Sequence, residues 1–449
     1  MSETLAGGAD SKHARFSGFP STVVIAVTLI AAAGLLILLT PEPPPGPPAS
    51  AGSTTASATP TTSATATASA SATTSPPSSS SAEPSKTQAP TPSEIITWTG
   101  LTWSDPVTPA FTINLYDLLP WRDGYVAIGQ LRSQDAGFLT SPDGVHWTVR
   151  HQVRLDGEQV VRHLVALEGS LFAFGQSAET IPSIWRSGDG VRWTRVDSPT
   201  WAAFWSDHLF LDVASGPGGL VAIGDRTTGE HDELLGDPAV LRSGDGVSWE
   251  ETPLDGATQR SVVRDVIGLD GGYALLGGEE TGPVTGMGTP QAWWSTDGQR
   301  WSRAKVDRAQ AGDNHFQSYS AMAAVEGLVA RTELLCAGCP PTNRTWISSD
   351  GRSWQRGADQ GAEPPFGMMA GDGTRIVVLS TKERWTPLGS SPEAYPGLTH
   401  AWVSTDGVTW KAMSLSHPLT DQVEAWWVVP DGVVFAGARS FWFGAANTR

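Results

Sequence analysis

Six aspartates stand in one repeated setting, Ser-x-Asp-Gly-x-x-Trp: Asp143, Asp189, Asp245, Asp297, Asp350 and Asp406. Carboxylates at fixed intervals could ligate metal ions or serve as catalytic acids. Successive copies lie 46, 56, 52, 53 and 56 residues apart, so each belongs to its own copy of a repeated unit and to its own turn. A structural role therefore outweighs a shared metal or catalytic site, and no cofactor or metal is implied. Arg226, Arg344 and Arg384 form a second set, with Arg132 and the carboxylates Glu230, Asp232, Glu233, Glu279 and Glu280 in the same class of loop. Guanidinium forks recognise carboxylates, and paired carboxylates can hydrolyse glycosides. Acidic loops are normal on a chain of net charge −17, and solvated loop surface outweighs a catalytic pair here. Cys336 and Cys339 make a third candidate, with only Ala-Gly between them. Outside the cytosol that spacing fits a small local disulfide. Two cysteines alone make a poor zinc site, and Pro340-Pro341 interrupts the helix that a redox pair would need.

The local chemistry of the repeat is that of a turn. The box residues are Ser141, Asp143, Gly144 and Trp147; Ser187, Asp189, Gly190 and Trp193; Ser243, Asp245, Gly246 and Trp249; Ser295, Asp297, Gly298 and Trp301; Ser348, Asp350, Gly351 and Trp354; Ser404, Asp406, Gly407 and Trp410. Asp-Gly between short apolar runs signals a tight hairpin, with Gly taking the φ > 0 position. The Asp carboxylate accepts turn N–H groups, the Ser hydroxyl closes the turn from the other side, and the Trp packs on the returning strand.

The box resembles the Asp-box, or BNR repeat, of sialidase-like β-propellers, usually Ser-x-Asp-x-Gly-x-x-Trp. All six copies here lack one residue between Asp and Gly. The resemblance implies a hairpin marker found in enzymes and non-enzymes alike. A sialidase would also need an arginine trio, a Tyr–Glu nucleophile pair and an Asp acid. The family's early Arg-Ile-Pro segment is absent, and only five Tyr occur.

A second element recurs seven times, as in Gly124-Tyr-Val-Ala-Ile-Gly129 and Gly432-Val-Val-Phe-Ala-Gly437. Such apolar runs between turn residues read as strands buried on both faces. A further strand precedes each run, one leads into each box and one follows it. Four antiparallel strands per repeat make a propeller blade. The seventh unit ends without a box or an outer strand. Thr99-Gly-Leu-Thr-Trp-Ser104 aligns with Asp245-Gly-Val-Ser-Trp-Glu250, so the first strand of the domain supplies the missing one. The expectation is an all-β, seven-bladed propeller over residues 94–449. Its boxes lie at one end, and its longer, varied loops, with their ligand-facing arginines, lie at the other.

The remainder of the chain is organised for display. Residues 1–20 carry Lys12 and Arg15, and Thr22 to Leu39 carries no charge, so 21–40 reads as a transmembrane helix. No Lys or Arg follows until Lys86, which puts the N-terminus in the cytoplasm and the propeller outside. A cleaved signal peptide, with Ala49-Ser-Ala51 as its site, is the competing reading. Residues 41–93 are Pro, Ser, Thr and Ala-rich, a disordered linker. The acidic balance disfavours nucleic acid as a partner. A membrane-anchored module for a glycan or protein partner is the functional expectation, with a sialidase-like exo-glycosidase as the alternative.

Overall fold

The computed structural model describes residues 98–448, apart from 154–159, 177–181, 207, 227–237, 281–287, 308–315, 325–326, 335–341, 358–367, 372–374, 381–399, 414–422 and 438–439. Cys336, Cys339 and Arg384 lie outside the described residues, as do the tail 1–20, the stretch 21–40 and the linker 41–93. Among the described residues no helix is long and apolar enough to cross a membrane.

The strands form seven four-stranded blades, as the repeat predicts, with blades four and five joined into one sheet where Gly288 bridges Phe316 and the extra strand Lys305–Val306 runs parallel to Ser353 and Trp354. Blade one is Ile113–Trp121, Gly124–Leu131, Ala136–Ser141 and Thr148–Val153. Blade two is Val160–Leu167, Ser170–Gln176, Pro182–Ser187 and Thr194–Val196. Blade three is His208–Gly216, Gly219–Arg226, Pro238–Ser243 and Glu250–Glu251; blade four is Ser261–Leu269, Gly272–Glu280, Gly288–Ser295 and Ser302–Arg303. Blade five is Phe316–Ala324, Gly327–Leu334, Thr342–Ser348 and Ser353–Arg356; blade six is Met368–Gly371, Ile376–Ser380, His400–Ser404 and Lys411–Met413. The first strand of each blade lies against the first strands of its two neighbours, which closes the ring around an axis.

Blade seven is assembled from both ends of the domain. Val423–Val429, Gly432–Gly437 and Phe441–Thr448 are completed by Trp98–Trp103, with Leu101 opposite Ala446 and Trp103 opposite Gly444. The pairing continues past the strand, where Ser104 N–H donates to the Phe443 carbonyl at 2.9 Å and Val107 N–H to that of Phe441 at 3.0 Å. An open sheet edge is thereby paired instead of exposed.

The core lies between blades, not within them. Phe138 of blade one packs with Trp185 and Trp193 of blade two, and Val434 and Phe441 of blade seven pack with Leu118 and Leu139 of blade one. Between blades two and three the short helix Pro199–Phe204 inserts Trp201, whose ring centroid is 4.7 Å from that of Trp249 and 5.2 Å from that of Phe174.

Candidate functional site at the box end of the channel

The boxes are longer than two-residue hairpins. Strand pairing stops at Thr140 opposite Thr148, at Arg186 opposite Thr194 and at Trp294 opposite Ser302, and side chains replace the backbone ladder beyond. The Ser hydroxyl accepts the box Gly N–H at 2.8 Å in the first three copies, 2.9 Å in the next two and 2.7 Å in the last. The glycines hold φ between +71° and +81°. In five boxes the Asp Oδ1 accepts the N–H groups two and three residues on, at 2.7–3.1 Å. In the fifth box, Asp350 takes one of them, from Arg352, at 2.9 Å. The Trp indole donates to the box Gly carbonyl, as Trp147 does to Gly144 at 2.9 Å. Trp249 is the exception among the six: its ring packs on Trp201, and its backbone N–H donates to Thr200 Oγ1 at 3.4 Å.

In five of the boxes these bonds hold the Asp carboxyl below its ordinary value. Burial pulls the Asp143 carboxyl upward, but the N–H of His146, its ring and the N–H of Val145 outweigh it and bring the group to about 2. The N–H of Arg300 leads in holding Asp297 to about 2. Asp189 is held lower still by the N–H groups of Arg192 and Val191. Asp245 and Asp406 are lowered against the pull of burial, chiefly by the N–H groups of Ser248 and Thr409. A depressed carboxyl stabilises the fold above its unfolded value and loses that stabilisation as pH falls through the folded value.

A second set of carboxylates lines the axis, and it was not singled out from the sequence. The first strands of blades one, two, three and four carry a bulge just before Asp117, His163, Asp212 and Asp265 respectively. Asp117 accepts its neighbour Leu118 N–H at 2.7 Å and, across the blade boundary, Leu164 N–H at 2.7 Å. Asp212 does the same with Val213 at 2.8 Å and Val266 at 3.1 Å, and His163 Nδ1 stands 3.3 Å from its Oδ1. Innermost strands have an unpaired edge, and the carboxylates of Asp117 and Asp212 each satisfy a donor on the next blade's edge. The signal was present: each of these four residues stands seven positions before the residue that opens its blade's second strand.

Burial pushes the Asp117 carboxyl up from 3.8 to about 6, against the Leu164 N–H, His163 and the Leu118 N–H, with Asp212 adding to the rise. The folded protein therefore binds this proton more tightly than the unfolded chain. Stability should fall as pH rises from 3.8 to about 6 and level off above, by up to about 1.4 kcal/mol per pH unit. Asp117→Asn should flatten the melting temperature over that window relative to wild type. It should also cost about 1–3 kcal/mol, because one amide N–H loses its acceptor. Parallel pH profiles for the two proteins would show that Asp117 is not the titrating group.

The described cavity, about 1260 Å³, lies at the same end as the boxes and spans blades two to five. Its inner wall is built from the hairpins joining first and second strands: Glu168 in blade two, Gly216 to Gly219 in blade three and Asp270 in blade four. Its outer wall includes Arg242, Trp294 and Arg352. The walls are pinned. Tyr273 OH accepts Gly218 N–H at 3.0 Å and donates to the Gly219 carbonyl at 2.9 Å. Arg242 donates to the Asp297 carbonyl at 3.0 Å and to Glu250 at 2.9 Å. A β-carbon on Gly268 would strike the Ser215 carbonyl oxygen, so bare backbone lets blades three and four meet there. The Arg352 guanidinium lies 4.1 Å from the Trp294 ring centroid, which orients its donors. Among the described residues, the Arg352 guanidinium has no hydrogen-bond or ion-pair partner, and the carboxylates of Glu168 and Asp270 have none either. Glu168 takes φ +47° in its hairpin, a backbone setting that favours Gly or Asn.

The residues expected to face a ligand lie at the other end. Arg226 closes the strand Gly219–Arg226 opposite His208, and Arg344 lies in Thr342–Ser348 opposite Thr332. Glu279 and Glu280, expected in a loop, instead close the strand Gly272–Glu280, because its pairing with Gly288–Ser295 runs on to Glu280 opposite Gly288, and the Glu279 carboxylate is held there. It accepts Gln291 Nε2 at 2.7 Å and lies 3.8 Å from Arg303, within a network that also ties Ser261 to Gln291. Among the described residues no His, Cys, Asp and Glu cluster is placed to hold a metal ion.

No protein-family model matches the chain, and no curated protein matches it. Its fold does match solved structures. A GH93 α-L-arabinofuranosidase of Fusarium graminearum in complex with arabinobiose is 11% identical over 78% of this chain and 98% of its own, with a TM-score of 0.39. An α-L-arabinanase of Penicillium chrysogenum is 14% identical over 63% and 92%, at 0.37. A polysaccharide lyase, Uly1, is 7% identical over 74% and 89%, at 0.50. At these identities the likeness is one of fold.

Proposed function

We propose that this propeller binds a saccharide in the cavity at the box end of blades two to five, without hydrolysing it, and that residues 21–40 hold it to a membrane with the propeller outside. One observation carries the reading. The cavity presents an oriented guanidinium, Arg352 on Trp294, together with the carboxylates of Glu168 and Asp270, and none of the three is paired among the described residues. Exposed carboxylates and a guanidinium lining one concave surface are groups that hydroxyl-rich ligands use for orientation. A peptide anchor would want a deep apolar pocket instead. The axial carboxylates do not favour catalysis, because both oxygens of Asp117 and both of Asp212 already accept backbone N–H groups.

A glycan array on the purified propeller, run beside chromogenic glycosides, tests this. Wild type should bind one saccharide class and release no chromophore. Arg352→Gln should weaken binding about 10- to 150-fold, the equivalent of one charged hydrogen bond of about 1.5–3 kcal/mol, without lowering the melting temperature. Chromophore release would replace the binding reading with hydrolysis. An array without signal would leave a protein partner in its place. Protease added to intact cells should reach the propeller, and protection would overturn the orientation.

A further inference from the structure

We infer that the box serine also keeps the Asp–Gly step of each box from isomerising, and that among the described residues Asp270–Gly271 in the cavity wall, with Asp255–Gly256, is where the chain isomerises instead; Asp156–Gly157 and Asp372–Gly373 lie outside the described residues. The reaction needs no partner but water. The Gly backbone nitrogen attacks Cγ of the preceding Asp, a C–N bond forms and the carboxyl oxygen leaves as water. The five-membered succinimide then takes up water at either carbonyl. One opening restores Asp; the other leaves isoaspartate, with the main chain running through the former side-chain carboxyl. Two conditions govern the first step. The Gly N–H must be free to swing toward Cγ and lose its proton, and the carboxyl must be able to turn and to become neutral.

The boxes deny both. Every box Gly N–H is donated to the Ser hydroxyl, at 2.7–2.9 Å. In five boxes that same hydroxyl lies 2.9–3.2 Å from the Asp Oδ1, which two downstream N–H groups also hold. The carboxyls of Asp143, Asp189, Asp245, Asp297 and Asp406 are held below their ordinary value, so the neutral form is scarce.

Asp270 and Gly271 are the two loop residues of the hairpin that pairs Leu269 with Gly272. Neither the Asp270 carboxylate nor the Gly271 N–H carries a hydrogen bond among the described residues, and a β-carbon on Gly271 would meet nothing within 4 Å. Asp255–Gly256 is similar: the Asp255 carbonyl accepts Trp293 Nε1 at 3.1 Å, but among the described residues its carboxylate and the Gly256 N–H carry no hydrogen bond. Asp123–Gly124 and Asp431–Gly432 form an intermediate class, because their glycines sit in the strand ladder opposite Trp121 and Val429. Isomerisation at Asp270 inserts a methylene into a two-residue hairpin and moves a cavity carboxylate. That last consequence for ligand binding rests on the proposed function; the chemical claim does not.

The test is prolonged incubation of the whole protein in mildly alkaline buffer, followed by peptide mapping with isoaspartyl-methyltransferase labelling. Wild type should label at Asp255 and Asp270 and stay clean at the six boxes. Ser243→Ala, confirmed folded by its melting transition, should gain label at Asp245 to the level of Asp270. Ser243→Thr, which keeps the hydroxyl, should not. Ser404→Ala repeats the comparison at Asp406 should the first variant fail to fold. The inference is overturned if wild-type boxes label as fast as Asp270, if folded serine-to-alanine variants stay clean, or if Asp255 and Asp270 both stay intact. Loss of saccharide binding on ageing without label at Asp270 would count against the cavity reading alone.

Discussion

A chain lacking residues 94–104 should lose its cooperative melting transition, whereas removal of 41–90 should leave the transition where it was. The first deletion strips blade seven of its outer strand and exposes the Phe441–Thr448 edge along its length. It also removes Trp98, 1% exposed, and Leu101, 3% exposed, from the core between blades six and seven. Large-to-small changes at such sites cost about 3–5 kcal/mol for Trp and about 2–5 kcal/mol for Leu, against a total stability of about 5–15 kcal/mol. Arg375, stacked 4.6 Å from the Trp98 ring centroid, loses its platform as well. Calorimetry of the two truncations decides the matter. An unchanged transition in the first would mean that ring closure does not depend on the strand from the other end of the domain.

Why the closure was legible in the sequence, and the cavity was not, follows from what each depends on. Closure rests on a local pattern, Gly-x-x-Trp in Thr99 to Trp103, that repeats elsewhere in the chain. Blade number rests on the period of the same pattern. The axial carboxylates are also periodic, but Asp117, Asp212 and Asp265 sit inside strands that otherwise read as apolar. Their meaning emerges only when the next blade's free N–H groups arrive beside them. The cavity has no period. The boxes look alike around the ring, so the box turns by themselves do not distinguish one blade from another. Yet the hairpins between first and second strands share that end, and they differ: Arg122-Asp123, Glu168-Gly169, Pro217-Gly218, Asp270-Gly271 and Pro430-Asp431. Each hairpin is only two residues long, so the asymmetry is easily overlooked beside the long loops of the other end. The Arg352–Trp294 stack joins residues from two blades, and no spacing within one repeat could have announced it.

Arg264→Met should be the most costly single substitution at the end away from the boxes. Asp225 is 0% exposed, and its carboxylate meets Arg264 at 2.7 Å, with Val263 N–H at 3.5 Å. The pair fastens the end of strand Gly219–Arg226, one residue before the expected ligand-facing Arg226, to the first strand of blade four. Burial raises the Asp225 carboxyl above its ordinary value even with Arg264 opposing it. Without the guanidinium the buried charge is uncompensated, a loss of about 3–5 kcal/mol. The pH dependence follows in sign. In the variant nothing of comparable strength opposes burial, so the folded-state value climbs further above the unfolded one. Protonation then favours the folded state, and the gap between variant and wild type should narrow as pH falls through that raised value. Urea denaturation at mildly acidic and mildly alkaline pH reads the gap directly. Asp225→Asn combined with Arg264→Met removes the charge altogether, and it should recover much of the lost stability and show no such narrowing. A gap that ignores pH, or a double variant no better than the single one, would mean that lost packing around the arginine stem, not a stranded carboxylate, sets the cost.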